Sequence, residues 1–356
     1  MGPSEETQPQ RTAPEPDSVA QPPDDPPQPA QVIQLIDSGR TSSDAVTTFV
    51  SGHAKGRKAI NYDPNELFRP STGGLAYKDT TVLAVDGWGS LSIGVEANTS
   101  RNVLMRIINK DLLEPDAMKD FLIAISDIGF NLVHDNILRL EERVSGRGGT
   151  PALIYQYSAI TLENISESAK RPEFQNFLIL MGKIIDAVAF AHQYRGLDGK
   201  LRRTFHLHLQ PASVLLSEDL TDCRVSGFGY SQVFRNINGA RQPRWQEPGM
   251  NPATMPPEFF SSQPGIIREK AAEIYSLGML MYFAVTGEYP FVGPTVLDYK
   301  LQHRTVHATP PKLVNPITPS WLEFIIMKCI EKDPDKRWGN VSEIQKAFRD
   351  GMNTTR

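Results

Sequence analysis

The side chains of this sequence that could do chemistry are mainly two cysteines and a few histidines. Cys223 and Cys329 lie far apart and in no metal-ligand spacing, so a zinc site or a disulfide scaffold has no support. His192 ends an apolar stretch and is typical of a buried structural histidine. His208 could accept a proton near neutral pH, since histidine titrates in that range. Proton transfer by a histidine is therefore one chemistry that stays open.

Strands and helices must position these side chains. From residue 77, β-branched runs bounded by glycine turns predict a sheet. The expected strands are residues 82–85, 91–96, 103–108, 137–141 and 152–157. An apolar helical stretch at residues 116–130 interrupts them, and beyond residue 158 apolar residues recur at helical spacing. We therefore expect a small sheet-rich lobe followed by a larger helical lobe.

The composition is that of an ordinary globular protein with an unusual beginning. Hydrophobic residues make up 40% and charged residues 22% of the 356 residues. Residues 1–30 are rich in proline and acids and predict a disordered acidic tail, which leaves the remainder nearly neutral. Nucleic-acid binding is therefore not expected. No apolar stretch is both long and uncharged enough to predict a membrane segment, so we expect a cytoplasmic protein.

A series of short motifs follows in a characteristic order. They are G-W-G-S-L-S at 87–92, V-L-M-R at 103–106, H-D-N-I at 134–137, H-L-H-L-Q-P-A-S-V-L-L at 206–216, S-G-F-G at 226–229, M-P-P-E at 255–258, E-I-Y-S-L-G at 273–278, T-G-E-Y-P-F at 286–291 and D-P-D-K-R at 333–337. In this order they resemble the protein kinase family. The resemblance implies an α+β, bilobal protein-kinase-like fold, with a small antiparallel-sheet N-lobe and a larger helical C-lobe.

The resemblance also implies a division of the chain. The expected parts are a disordered acidic tail at 1–30, a short helical extension and linker at 31–76, a kinase-like N-lobe at 77–157, a kinase-like C-lobe at 158–350 and a C-terminal tail at 351–356.

The positions at which protein kinases carry their chemistry are occupied by other residue types. Phosphoryl transfer in the family uses magnesium held by oxygen ligands, a lysine on the phosphates and a carboxylate that positions the hydroxyl. Here the base position is His208, the second metal-ligand position is Ser213 and the bridging carboxylate is replaced by Gly227. Arg106 replaces the lysine, and its usual glutamate partner is replaced by Ala124 or Ile125. The resemblance thus implies that no catalytic residue is intact.

The cleft in which the family binds its nucleotide carries substitutions as well. The positions that the resemblance assigns to it are Gly87, Gly89, Leu104, Arg106, Tyr155 and Tyr157. Leu104 and Tyr155 are large enough to fill this cleft from within, so we expect it to be obstructed.

Structural positions of the family match better. His206 and Phe228 match residues that pack beneath the catalytic segment, and Glu273 stands at a further structural position. Glu258 and Arg337 stand where kinases place a buried ion pair.

The resemblance, with its lost chemistry, predicts a pseudokinase. We expect a catalytically inactive protein-binding scaffold or allosteric regulator, with no cofactor, no magnesium site and no metal site. Its partner would be a protein, such as an active kinase or a signalling complex. Residues 31–56 and the small lobe are the expected partner-facing region.

An enzymatic alternative stays open. In it, the chain is an atypical nucleotide-dependent phosphotransferase, or a nucleotide-binding sensor, that uses the same cleft. His208 would then be the base, and Asp219 and Asp222 of the neighbouring loop are candidates for metal ligands.

Overall fold

The structure is a computed structural model that describes residues 2, 66–158, 160–166, 173–196, 198–239, 243–261 and 268–354. The predicted disordered tail, apart from residue 2, and the predicted partner-facing segment at 31–56 lie outside the described residues.

The small lobe is built on a six-stranded antiparallel sheet with the strand order β1-β2-β3-β4-β6-β5. The strands are β1 (Leu67–Phe68), β2 (Tyr77–Asp86), β3 (Gly89–Glu96), β4 (Asn102–Ile108), β5 (Leu140–Ser145) and β6 (Pro151–Tyr155). A tight turn of two residues, Gly87 and Trp88, joins β2 to β3. Strand alternation puts Leu104, Arg106 and Ile108 of β4 on one face of the sheet.

One helix, α1 (Pro115–Asn131), packs against that sheet. Phe121 and Ile125 are buried in a cluster with Leu153 and Tyr155 of β6. Proline at the first helical position suits the start of α1, because its missing N–H would have no partner there.

The predicted strand at 137–141 is wrong in its position. Ile137 N donates to His134 O in a turn, and Leu138 N donates to Val225 O of the large lobe. Because these backbone groups are already used, pairing within the sheet begins at Leu140.

The large lobe is mainly helical. Its helices are α2 (Leu162–Ser166), α3 (Phe174–Gln193), α4 (Tyr230–Asn238), α5 (Glu269–Thr286), α6 (Val296–Thr305), α7 (Pro311–Val314), α8 (Ser320–Cys329) and α9 (Val341–Thr354). A small antiparallel sheet of β7 (Ile160–Thr161), β8 (Val214–Leu216) and β9 (Cys223–Val225) accompanies them. Helix α5 is buried on every side, as expected of a helix that is apolar all round. The predicted α+β, bilobal arrangement is confirmed.

Among the described residues, α3 is the one helix long and apolar enough to cross a membrane by length and composition. More than half of its apolar window, 56%, is buried inside the protein. A core helix of a globular domain has these same properties.

Candidate active site

The segment that carries His206 and His208 is fixed by a buried carboxylate of α5. Glu273, with 0% exposure, accepts hydrogen bonds from His206 N at 2.8 Å and Leu207 N at 3.4 Å. Leu207 has a φ of 64°, a left-handed conformation that is unfavourable for a leucine. The bonds to Glu273 hold the backbone there. Phe228 packs edge-on against the His206 ring at 5.3 Å.

A second fixed point ties the segment around Glu258 to the end of the large lobe. The Arg337 guanidinium donates to both carboxylate oxygens of Glu258, at 2.8 and 2.9 Å. It also donates to the carbonyl oxygens of Ala271, Glu331 and Lys332. The structure thus brings the two predicted partners together in a bidentate pair.

His208 has its tautomer set by its neighbours. Its Nδ1 lies 2.8 Å from His206 O, and because a carbonyl oxygen only accepts, Nδ1 carries the hydrogen and Nε2 carries the lone pair. Nδ1 also lies 3.2 Å from the Ser231 hydroxyl. Burial lowers the pKa of His208 to about 3, and burial together with the neighbouring His208 lowers that of His206 to about 3. Both imidazoles are therefore neutral at pH 7.

Gly227 leaves room for this imidazole. A Cβ at position 227 would lie 3.1 Å from His208 Nε2, and the φ of +89° at Gly227 is one that side chains rarely adopt. The side chain of an aspartate at position 227 would therefore crowd the His208 imidazole. Glycine at 227 and histidine at 208 are thus sterically compatible, whereas aspartate at 227 and histidine at 208 are not.

The donor set around Gly227 does not fit a magnesium ion. Magnesium requires hard oxygen ligands in octahedral geometry. The three positions concerned offer an imidazole at His208, a hydroxyl at Ser213 and no side chain at Gly227. Within the described ranges, no group of three His, Cys, Asp or Glu residues is placed to hold a metal ion.

The two aspartates considered as substitute ligands are engaged elsewhere. Asp219 accepts hydrogen bonds from the hydroxyls of Ser217 at 2.6 Å and Thr221 at 2.9 Å. Asp222 pairs with Lys183 at 2.8 Å. Asp219 thus bonds within the loop between β8 and β9, and Asp222 bonds Lys183 of α3; neither contact brings a carboxylate to Gly227.

Arg106 is paired within the small lobe. Its guanidinium donates to both oxygens of Asp86, at 3.1 and 3.0 Å, and the two side chains are 11% and 21% exposed. Asp86 Oδ1 also accepts from Trp88 N at 2.8 Å and Gly89 N at 3.1 Å, which fixes the turn between β2 and β3. Sequence reasoning missed Asp86. The available signal was an aspartate directly before a glycine turn, where its side chain commonly bonds the backbone two residues on.

Trp88 at the tip of this turn points inward and is 1% exposed. Its ring stacks on Phe121 of α1 at 5.8 Å and lies 5.7 Å from the His208 ring. It meets Tyr230 and Phe234 of α4 edge-on, at 5.5 and 5.6 Å. Trp88 therefore fills the space between the glycine turn and the segment that carries His208. Its indole Nε1 is buried without a hydrogen-bond partner among the described residues, which costs about 1–3 kcal/mol.

The remaining predicted cleft residues lie on the strands around this space. Leu104 on β4 is fully buried, and Tyr155 ends β6. The Tyr155 hydroxyl bonds the Tyr230 hydroxyl at 2.7 Å, and burial raises the pKa of both phenols, that of Tyr230 to about 12. Gly87 lies in the turn before β3, Gly89 begins β3, and Tyr157 follows β6. That these six positions line a nucleotide site stays a prediction.

Comparison with known proteins agrees with this architecture. A family model described as "Protein kinase domain" matches residues 86–349. A probable serine/threonine-protein kinase of Clostridium acetobutylicum is 23% identical over 271 residues, which cover 75% of this chain and 38% of that protein. The serine/threonine-protein kinase PrkC of Bacillus subtilis is 20% identical over 283 residues, or 79% of this chain and 41% of that protein. The serine/threonine-protein kinase PknB of Mycolicibacterium smegmatis is 20% identical over 273 residues, or 76% and 42%. The chain thus spans about two fifths of the length of these relatives.

These comparisons contradict three predictions made from the sequence. The relatives are named as serine/threonine-protein kinases, and protein kinases transfer a phosphoryl group from ATP with magnesium. The expectation of an inactive scaffold is therefore wrong, and so are the expectations that the chain is not an enzyme and that it uses no cofactor and no magnesium.

Proposed function

Since the chain belongs to the protein kinase family, we propose that it is an atypical nucleotide-dependent phosphotransferase that acts in the interlobe cleft. The observation that carries the proposal is the family match through both lobes, from residue 86 to residue 349, which includes the segment around His208.

His208 is the residue that we propose to receive the proton of the attacking hydroxyl. Its Nε2 carries the lone pair, because Nδ1 donates to His206 O. Burial lowers the pKa of His208, so the imidazole is neutral at pH 7 and its Nε2 is free to accept a proton. His208 can therefore perform the proton-accepting role that a carboxylate has elsewhere in the family.

Arg106 is the cation that we propose to meet the phosphates. It lies on the face of β4 that carries Leu104, close to the glycine turn. In the present conformation Asp86 neutralises it. Bound ATP with its metal supplies the phosphoryl group in this family. Because the donors around Gly227 do not fit magnesium, no step is assigned to a metal here.

The substrate would be a protein hydroxyl, as the names of the relatives suggest. The cytoplasmic location, the absence of nucleic-acid partners, the partner-facing role of residues 31–56 and the domain boundaries stay predictions.

The test uses the full chain with radiolabelled ATP and a generic protein substrate, with magnesium, with manganese or with neither. We expect transfer, and we expect His208→Gln to lower its rate by about 10²- to 10⁴-fold. Arg349→Ala is the control, because Arg349 forms an exposed ion pair with Asp186 on α3. Thermal unfolding is recorded in parallel, since ATP at about 100 times its dissociation constant adds about 2.7 kcal/mol to the stability. The proposal is contradicted if the chain shows no phosphate transfer and no stabilisation by ATP under any of the metal conditions.

A nucleotide-binding sensor is the second candidate, and the poor fit of His208, Ser213 and Gly227 to a metal favours it. In that case ATP stabilises the chain equally with and without metal, Arg106→Ala weakens the stabilisation, and no phosphate is transferred.

A further inference from the structure

We infer that Trp88 is a built-in inhibitor of this cleft: it occupies the space next to His208 and must swing out before the phosphates of a nucleotide can enter. The inference concerns the regulation of the proposed site and rests on the proposed function.

The Trp88 ring lies in a nest of aromatic side chains drawn from both lobes. Phe121 comes from the small-lobe helix α1, and its plane is inclined by only 6° to that of Trp88. Tyr230 and Phe234 come from α4 of the large lobe and present their edges to the indole at 85° and 84°. Such stacked and edge-on pairs are favourable beyond their buried area. These three aromatic contacts therefore stabilise the inward position of the indole.

The position of the ring is incompatible with an occupied phosphate site. The glycine-rich loop of a protein kinase covers the phosphates of ATP. Here the indole hangs from that loop toward His208, with 5.7 Å between the ring centres. A phosphate chain that runs beneath the loop to His208 would have to pass through the indole.

A glycine of the large lobe holds the turn closed. A Cβ at Gly249 would clash with Trp88 Nε1, and a Cβ at Gly87 would lie 2.6 Å from Gly249 N. Two glycines are therefore required for the turn and the 248–249 backbone to meet at this distance. The φ of +75° at Gly249 also suits glycine. We call residues 248–249 the clasp.

The clasp is itself anchored to the large lobe. Glu247, just before it, pairs with Arg235 of α4 and with Arg244 at 3.2 Å, and Arg244 also pairs with Glu269 of α5 at 3.4 Å. From the catalytic segment, Gln210 donates to Gly249 O at 3.3 Å. We therefore expect a movement of Glu247 or Gln210 to shift the clasp and to change its contact with Trp88.

The closed state is one that the molecule can leave. Trp88 Nε1 is buried without a hydrogen-bond partner among the described residues, so the ring is held by packing alone. The turn backbone is bonded separately, through Asp86 Oδ1, and can persist when the indole leaves. Since only the open fraction binds nucleotide, the apparent affinity is the intrinsic affinity multiplied by that fraction.

The test replaces the clasp glycine while it keeps the indole. Gly249→Ala puts a methyl group into the space of Trp88 Nε1 and should expel the ring. Gly149→Ala is the matched control, because Gly149 has a φ of +73° and nothing lies within 4 Å of an added Cβ. Both variants thus carry the same backbone strain, and only one carries the clash.

Two readouts are taken on the full chain. Acrylamide quenching reports the exposure of Trp88, after subtraction of the Trp88→Phe spectrum from that of each protein. Titration with a fluorescent ATP analogue, with and without magnesium or manganese, reports nucleotide affinity. We expect Gly249→Ala to expose Trp88 and to raise the apparent affinity by at least about tenfold over Gly149→Ala. Trp88→Ala should raise the affinity similarly and should abolish any further effect of Gly249→Ala.

Equal quenching in the two glycine variants would show that Gly249 does not hold Trp88 in place. Nucleotide binding that neither Gly249→Ala nor Trp88→Ala strengthens would show that Trp88 does not inhibit the cleft. Greater quenching in Gly249→Ala with no nucleotide binding by any of these proteins has a different meaning: it supports the clasp and counts against the proposed function.

Discussion

Arg337 and Arg106 each pair with a carboxylate, Arg337 through two guanidinium nitrogens and Arg106 through one, and they lie in very different surroundings. The Arg337 side chain is fully buried in the large lobe and donates to Glu258 and to three carbonyl oxygens as well. The Arg106 side chain is partly exposed beside the glycine turn and pairs with Asp86. The first arginine holds distant segments of one lobe together, whereas the second is held by the end of a nearby strand.

The difference extends to the two regions as wholes. In the large-lobe frame, Glu258, Glu273 and Arg337 join parts of the chain that are far apart in sequence. In the cleft, the Tyr155 and Tyr230 hydroxyls bond each other, and the Trp88 ring packs beside His208. The frame keeps the family's architecture, and the cleft holds the residues that we propose for chemistry and regulation.

Removal of Arg337 should cause the largest loss of stability. A small loss would contradict the contrast drawn between Arg337 and Arg106. Arg337→Ala leaves Glu258 without its bidentate partner and three carbonyl oxygens without their donor. Loss of one partner of a buried pair typically costs about 3–5 kcal/mol. Urea unfolding measures the loss, and Arg349→Ala, which removes an exposed arginine, should cost at most about 1 kcal/mol. Equal losses in the two variants would mean that the frame is not held by this pair.

The frame was the easier region to predict. The family resemblance pairs Glu258 with Arg337, and the structure has them in a bidentate pair. The glycine turn was also visible in the sequence, but the direction of Trp88 was not. That direction depends on Gly249 and on aromatic side chains from two further segments, α1 and α4, and contacts between distant segments leave no local pattern.

The misplaced strand has a similar cause. Residues 137–141 have the alternation of a strand, but the backbone of Ile137 closes a turn and that of Leu138 bonds the large lobe. The family pattern predicts the partner of Arg106 on α1, whereas its partner Asp86 lies at the end of β2.

Buried histidines should make the stability depend on pH. Burial lowers the pKa of His206, His208 and His303 to about 3, against 6.5 in an unfolded chain. Below pH 6.5 the unfolded state binds protons that the folded state does not, so stability falls as the pH drops from 6.5 toward 3. The pKa of Asp79, raised by burial to about 6, acts in the opposite direction between pH 3.8 and 6. Burial also raises the pKa of Glu247, which acts in the same direction as Asp79. The three histidines outweigh these two carboxyls, so a net loss of stability is expected between pH 7 and 5.

Urea unfolding at pH 7 and pH 5 measures this loss. Replacement of the buried residue, His303→Gln, should reduce the loss by up to about 1.4 kcal/mol per pH unit. His307→Gln is the control, because His307 is exposed on the same lobe. A loss that is unchanged in His303→Gln would show that this histidine does not contribute to it.

Removal of one hydroxyl tests the inward-facing polar groups of the cleft. Tyr155→Phe leaves the Tyr230 hydroxyl buried without its partner at 2.7 Å, which should cost about 1–3 kcal/mol. The double variant with Tyr230→Phe should recover much of the loss, because both polar groups are then gone. Chemical unfolding of the four proteins gives the coupling energy. Additive losses in the double variant would show that the two hydroxyls do not depend on each other.

The smallest effect on stability should come from the pair at the cleft mouth. Asp86→Asn keeps the shape of the side chain and an oxygen for the amides of Trp88 and Gly89, while it removes the charge that pairs with Arg106. Because the pair is partly exposed, solvent screens it, and the cost in urea unfolding should be at most about 1 kcal/mol. The same change frees the Arg106 guanidinium, so the affinity for a fluorescent ATP analogue should rise. Arg106→Ala gives up a similar amount of stability but should weaken nucleotide binding. If the two variants change the affinity in opposite directions but the stability by similar amounts, Arg106 is a phosphate-binding cation that Asp86 neutralises in the closed state. If both variants lose affinity, Arg106 is a second structural arginine.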